Sequence, residues 1–229
     1  MGFHLDCLLT VDRAAVALFE QLVPGGREWV VPVRGEGLPD GWVMPHPLLL
    51  EGLDVAEDWA LDAAVGEWRR EAGVPAGPDP LDAFDDTDLR CASLLSLAAP
   101  AGVVYLKDET FGGVLFHEHA AVFTGGRLRA AYGIDFGDRH RRSRAFELRD
   151  GAYAEANPGE ILPVTRCASI LDPRFREVSL FDGYLPRNSP PPFPQPADVE
   201  TLALDPATTR KWSPYFPFLT RLPARSTSR

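Results

Sequence analysis

The chain is short of several residue types and motifs, and each shortage closes off a class of protein. Only three cysteines occur among its 229 residues, Cys7, Cys91 and Cys167. None belongs to a C-x-x-C pair, which excludes zinc ribbons and thioredoxin-type redox sites. Three scattered thiols with mostly apolar neighbours read as reduced core residues of a cytosolic protein. Lysine is nearly missing, with Lys107 and Lys211 the only two. No apolar run approaches the ~18 residues that a membrane-spanning helix needs. There is no G-x-x-x-x-G-K-[ST] loop to cradle phosphate and no G-x-S-x-G nucleophile elbow. The nearest glycine-rich match to a dinucleotide loop, Gly35-Glu36-Gly37-Leu38-Pro39-Asp40-Gly41, has the wrong spacing and a proline inside it. The first residues carry no basic segment and alternate as a strand does, so they are not read as a signal peptide. Asp6 stands where a myristoylation signal takes Ser or Thr.

What is present is a globular composition, 45% hydrophobic and 24% charged, long enough to bury a real core. The net charge is −10, and it is unevenly spread. Residues 1–100 hold 18 acids and 6 bases, a balance of −12, whereas residues 101–229 hold 15 acids and 17 bases, a balance of +2. Such an acidic half repels phosphate backbones, excluding nucleic acid as its ligand, and attracts a basic protein surface.

Hydrophobic periodicity divides the chain in two. Phe3, Leu5, Cys7 and Leu9 alternate with other residues and predict a strand. Val11, Ala15, Leu18 and Leu22 then form one helical stripe, with Thr10 placed to cap it and Pro24-Gly25-Gly26 to stop it. Trp29 to Val33 predicts a second strand, followed by a Gly- and Pro-rich loop to Leu50. Asp54 and Glu57 resemble a capping box for a helix carrying Leu61, Val65, Trp68 and Ala72 on one face. Asp85, Asp86 and Asp88 precede another helix, Leu89 to Ala98, where acids favour the positive end of the helix dipole. From Val103 the pattern is β: strands over 103–106, 114–123 and 127–134, with Thr124-Gly125-Gly126-Arg127 as a hairpin turn. A second hairpin follows over 145–149 and 152–156 on Asp150-Gly151, then short strands over 161–165 and 178–181. The expected fold is α+β, an antiparallel sheet of hairpins packed with helices mainly from the N-terminal half. One globular domain is expected over 1–185. Residues 186–196 contain six prolines, so 186–229 is expected to be an extended, proline-rich and aromatic C-terminal extension.

The sharpest candidate for chemistry is His117-Glu118-His119. Residues i and i+2 on a strand share a face, so two imidazoles there can chelate a metal, with Asp135 or His140 completing the set. With Gly125 and Gly126 as a two-residue turn and no irregularity, His119 faces Tyr132 and His117 faces Ile134. Phe123, Ala121, Leu128 and Ala130 then share the histidine face, while Glu118, Arg129 and Asp135 take the other. On that register both histidines sit in or beside the core, bonded to backbone or tyrosine. The basic run Arg139-His140-Arg141-Arg142-Ser143-Arg144 reads as a solvated loop between hairpins. Cys167 has nothing around it in sequence that marks a nucleophile.

The segment Glu109-Thr110-Phe111-Gly112-Gly113-Val114, continuing to Ala120-Ala121-Val122-Phe123, resembles a stretch of bacterial toxin-immunity proteins. In those proteins an aromatic-Gly-Gly turn opens a strand running into small residues and an aromatic. The likeness covers about 15 residues and implies a non-catalytic role in which a toxin is neutralised by binding. The expectation is therefore a cytoplasmic, acidic protein-binding protein that needs no cofactor, whose partner is a toxin domain with a basic active-site face. Its contact surface is expected at Glu57, Asp58, Asp62, Asp85, Asp86 and Asp88. The alternative is a metal-dependent enzyme or metal-binding protein built on His117 and His119, with Asp135 and His140.

Overall fold

A computed structural model describes residues 3–22, 27, 30–45, 81, 83–84, 86–111, 114–136, 141–150, 152–157, 161–178, 180 and 184–185. The expected helix after Asp54, the Gly112-Gly113 pair and the 186–229 extension lie outside these residues. So do Glu57, Asp58, Asp62, Asp85 and His140, together with the side chains of Asp86 and Asp88.

Among the described residues, eight antiparallel strands form one sheet: β1 (Phe3–Thr10), β2 (Val31–Val33), β3 (Gly41–Pro45), β4 (Val103–Phe111), β5 (Val114–Thr124), β6 (Arg127–Phe136), β7 (Arg141–Arg149) and β8 (Ala152–Glu155). Their spatial order is β2-β3-β1-β4-β5-β6-β7-β8. From β4 to β8 the sheet is a meander, each strand pairing with the next. β1 instead inserts between β3 and β4, which joins the two halves of the chain. Pro32 lies on edge strand β2, where its missing N–H costs no ladder bond.

Helices cover both faces. Helix α1 (Arg13–Leu22) and helix α2 (Asp86–Ser96) pack one side, enclosing Leu8, Phe19, Leu94, Leu95, Tyr105, Ala121 and Phe123. Helix α3 (Pro163–Leu171) and a 3-10 turn (Pro173–Glu177) cover the other, enclosing Leu5, Cys7, Leu106, Ala120, Val122, Val164, Cys167 and Phe175. Burial on both faces explains why Val103–Leu106 and Ala120–Phe123 are unbroken apolar runs rather than alternating ones.

Two glycine sites hold this arrangement. Gly125 and Gly126 have φ of 58° and 78°, the left-handed pair that a two-residue hairpin requires. Two α2 hydroxyls clasp the turn: Ser93 Oγ donates to the Gly126 carbonyl (2.7 Å) and Ser96 Oγ accepts from the Gly126 N–H (2.9 Å). At Gly102, φ is +108° and a Cβ would stand 2.6 Å from the Phe123 carbonyl oxygen, so only glycine fits. Thr10 Oγ1 donates to the Gly102 carbonyl (2.9 Å) and accepts from the Asp12 N–H (3.1 Å). The expected helix cap thus closes the turn before α1 and ties it to β4.

The α+β class and the meander agree with expectation, and four local readings do not. Gly41–Pro45 is a strand within the expected loop, because it completes ladders with β1 and β2 on either side. Residues 161–165 lead into a helix rather than forming a strand; Pro163 sits in its first turn, and Val164, Cys167, Ala168 and Leu171 make its buried stripe. No strand forms at Val178, which closes the 3-10 turn. Arg141–Arg144 belong to β7, paired to β6, and not to a loop.

Candidate functional site

The β5–β6 hairpin starts in the expected register, Thr124 opposite Arg127 and Phe123 opposite Leu128. A bulge then leaves Arg129 unpaired, so Val122 faces Ala130. A one-residue shift exchanges faces for everything beyond it. His119 therefore faces Gly133 rather than Tyr132, and His117 faces Asp135 rather than Ile134. Asp135 joins the histidine face, while Ala130 moves to the opposite core.

Cross-strand rows build that face. Glu109, His117 and Asp135 lie side by side on β4, β5 and β6. One row inward stand Asp6, Lys107, His119 and Gly133, on β1, β4, β5 and β6. His119 Nε2 lies 3.0 Å from Asp135 Oδ1, the ring N–H acting as donor, with the imidazole 6% and the carboxylate 59% exposed. Phe84 meets the His119 ring edge-on at 6.2 Å and packs on Tyr105 at 4.5 Å. The Tyr105 hydroxyl donates to Asp6 Oδ1 (2.7 Å), and Lys107 Nζ donates to the Ala83 carbonyl (3.1 Å) while standing 3.8 Å from Asp6 Oδ2. His117 is half-buried, with Nδ1 3.8 Å from Glu109 Oε2. Burial, with Lys107 and His119 nearby, holds its pKa below the usual imidazole value against the pull of Glu109 and Asp135.

Glu118 points the other way. It is buried beneath α3, where Oε1 accepts the Val164 N–H (2.7 Å) at a helix start that has no local side-chain cap. Asp108, also buried, is its direct partner on β4, and Thr110 Oγ1 donates to Asp108 Oδ1 (3.1 Å). Burial first, and the Asp108 carboxylate second, push the Glu118 pKa up to about 8, against the Val164 bond.

The expected site residues thus divide. His117, His119 and Asp135 come together; Glu118 does not join them. Among the described residues no three His, Cys, Asp or Glu side chains are placed to hold a metal ion. The three cysteines are buried. Burial raises the Cys7 and Cys167 thiols above the ordinary range, which suppresses the nucleophilic thiolate. Asp6, Tyr105, Lys107 and Glu109 escaped sequence reasoning. The polar triplet Lys107-Asp108-Glu109, closing an apolar run, was the available signal. No described helix is long and apolar enough to cross a membrane. Comparison with protein-family models, curated proteins and solved structures finds no match.

Proposed function

We propose that this chain is a non-catalytic protein-binding protein of the toxin-immunity kind, acting in the cytoplasm on a toxin domain with a basic face. The observation that carries the reading is the charge division, −12 over residues 1–100. The resemblance at 109–123 points the same way. Glu57, Asp58, Asp62, Asp85, Asp86 and Asp88 are its proposed contact residues; among the described residues, Glu109 and Asp135 carry exposed carboxylates at the histidine end of the sheet. Such a surface speeds encounter with a cationic partner and masks that partner's working residues, while apolar contacts set the lifetime of the complex. Also in favour, the part-buried polar groups around His119 are engaged, Tyr105 with Asp6, Lys107 with the Ala83 carbonyl and His119 with Asp135, as in contacts that stiffen a scaffold. The test is to express each protein encoded beside this chain's gene, with and without this chain, and to read toxicity. Protection that is lost when Glu57, Asp58 and Asp62 become lysine supports the reading; unchanged toxicity with the native chain overturns it.

A second reading, a metal-binding or metal-dependent site, is favoured by one observation: the bulge delivers Asp135 to the face of His117 and His119. Elemental analysis of the purified chain separates the two. Stoichiometric zinc, iron or manganese, lost in a folded His117→Ala/His119→Ala variant, would favour this second reading.

A further inference from the structure

The Phe84 N–H donates to the Leu81 carbonyl (2.9 Å), which closes a turn just before α2. The sheet and its core hold this turn at three points. Leu81 is 1% exposed and belongs to the core beneath α1 and α2. Lys107 Nζ donates to the Ala83 carbonyl (3.1 Å). The Phe84 ring, 6% exposed, lies 4.5 Å from Tyr105 and meets His119 edge-on at 6.2 Å. The holding groups are themselves fixed. Lys107 stands 3.8 Å from Asp6 Oδ2, the Tyr105 hydroxyl donates to Asp6 Oδ1 (2.7 Å), and His119 meets Asp135 (3.0 Å). Side chains of β1, β4, β5 and β6 thus converge on one turn.

The turn leads straight into an acidic segment. Helix α2 starts at Asp86, and its Leu89 is fully buried in the same core as Leu81 and Phe84. Residues 85–88 are all that separate the anchors Phe84 and Leu89, and three of those four are Asp85, Asp86 and Asp88. Carboxylates so close in sequence repel one another, and a loose chain would spread them. Four residues tied at both ends have little freedom left to lose on binding. The ordering that a partner would otherwise impose is done in advance by the fold.

We propose that Lys107 and Phe84 are positioning residues, which fix the turn before α2 so that Asp85, Asp86 and Asp88 meet a cationic protein surface as one preorganised set. The inference rests on the reading of the chain as a protein-binding protein, and it gives the polar contacts around His119 a part in that role. An ammonium has three donors, so Lys107 can serve the Ala83 carbonyl while facing Asp6.

Lys107→Met, which keeps the length of the stem and removes the ammonium, tests this in two measurements on the whole chain. The variant is one charge more negative than the native −10, so charge alone would strengthen its attraction to a cationic partner. Positioning predicts the opposite. In the free chain, amide hydrogen exchange at Phe84 should quicken about tenfold or more relative to Val122. With a toxin domain that the native chain neutralises on co-expression, the dissociation rate should rise about tenfold while the association rate holds. Unchanged exchange at Phe84 overturns the anchor. Quickened exchange with an unchanged dissociation rate overturns the positioning role and leaves the protein-binding reading standing. Neutralisation of no toxin by the native chain overturns that reading, and the positioning role with it. Should Lys107→Met fail to fold, Phe84→Leu, which keeps an apolar side chain in the core and loses the ring contacts, takes its place in both measurements.

Discussion

Adjacent residues of one strand meet opposite fates at the polar end of this sheet. His117 and His119 look toward a face where charges of both signs are interleaved and the outer row is open to water. Glu118 looks toward a face closed by α3, where the residue opposite it on β4 is another acid, Asp108. The open side spreads its polar groups over Asp6, Tyr105, Lys107 and Asp135, so each group is answered by a partner or by solvent. The closed side leaves one carboxyl oxygen unanswered. Polar groups near a rim are cheap to keep, whereas the same groups under a helix turn the fold into a proton-sensitive object.

The two faces should therefore respond to pH with opposite signs, and the largest effect belongs to the closed one. Burial pushes the folded-state pKa of Glu118 up to about 8 from the ordinary 4.5, so the folded chain binds the proton more tightly than the unfolded chain does. Its contribution to stability is fully present at low pH and is lost as pH climbs through that window. The loss should amount to a few kcal/mol, on the order of 1.4 kcal/mol per unit of pKa difference. Denaturant unfolding at pH 5, 6.5 and 8 should show the decline, and Glu118→Gln should flatten most of it. An equal slope in the variant would place the effect elsewhere.

On the open face, Tyr105→Phe removes the donor to Asp6 within a part-buried network and should cost about 1–2 kcal/mol in the same assay. Asp135→Asn should cost less, at most about 1 kcal/mol, because the carboxylate is more than half exposed and water replaces what is lost. A cost as large as that of Tyr105→Phe would mean that the His119 contact is not rim-like. The smallest effect is expected from His117. Burial holds its pKa below the ordinary imidazole value of 6.5, so its contribution is present above that pH and is lost as pH falls below it. Nitrogen-15 spectra of the imidazole should show it neutral at pH 7.

How much of this could be read from the chain depends on how local each feature is. The Gly125-Gly126 hairpin and the continuous apolar strands are written in a few adjacent residues, and they form where expected. The face on which Asp135 lies is not, because Arg129 is an unremarkable residue and only the paired strand reveals that it bulges out. The apolar run Ile161-Leu162-Pro163-Val164 is ambiguous between strand and helix until packing against β5 and β6 decides it. Tyr105 meets Asp6 only because β1 inserts beside β4, a pairing between residues 99 positions apart that no periodicity can report. The Asp108–Glu118 pair is likewise a product of register, which neither Lys107-Asp108-Glu109 nor His117-Glu118-His119 reports by itself.

The functional account rests on electrostatic attraction between the acidic half of the chain and a cationic toxin face. The sharpest test is the association rate of the whole chain with a toxin domain that it protects against on co-expression, measured as salt is raised from ~20 mM to ~500 mM. Electrostatic steering requires a fall of about tenfold or more with little change in the dissociation rate. An association rate indifferent to salt would contradict it.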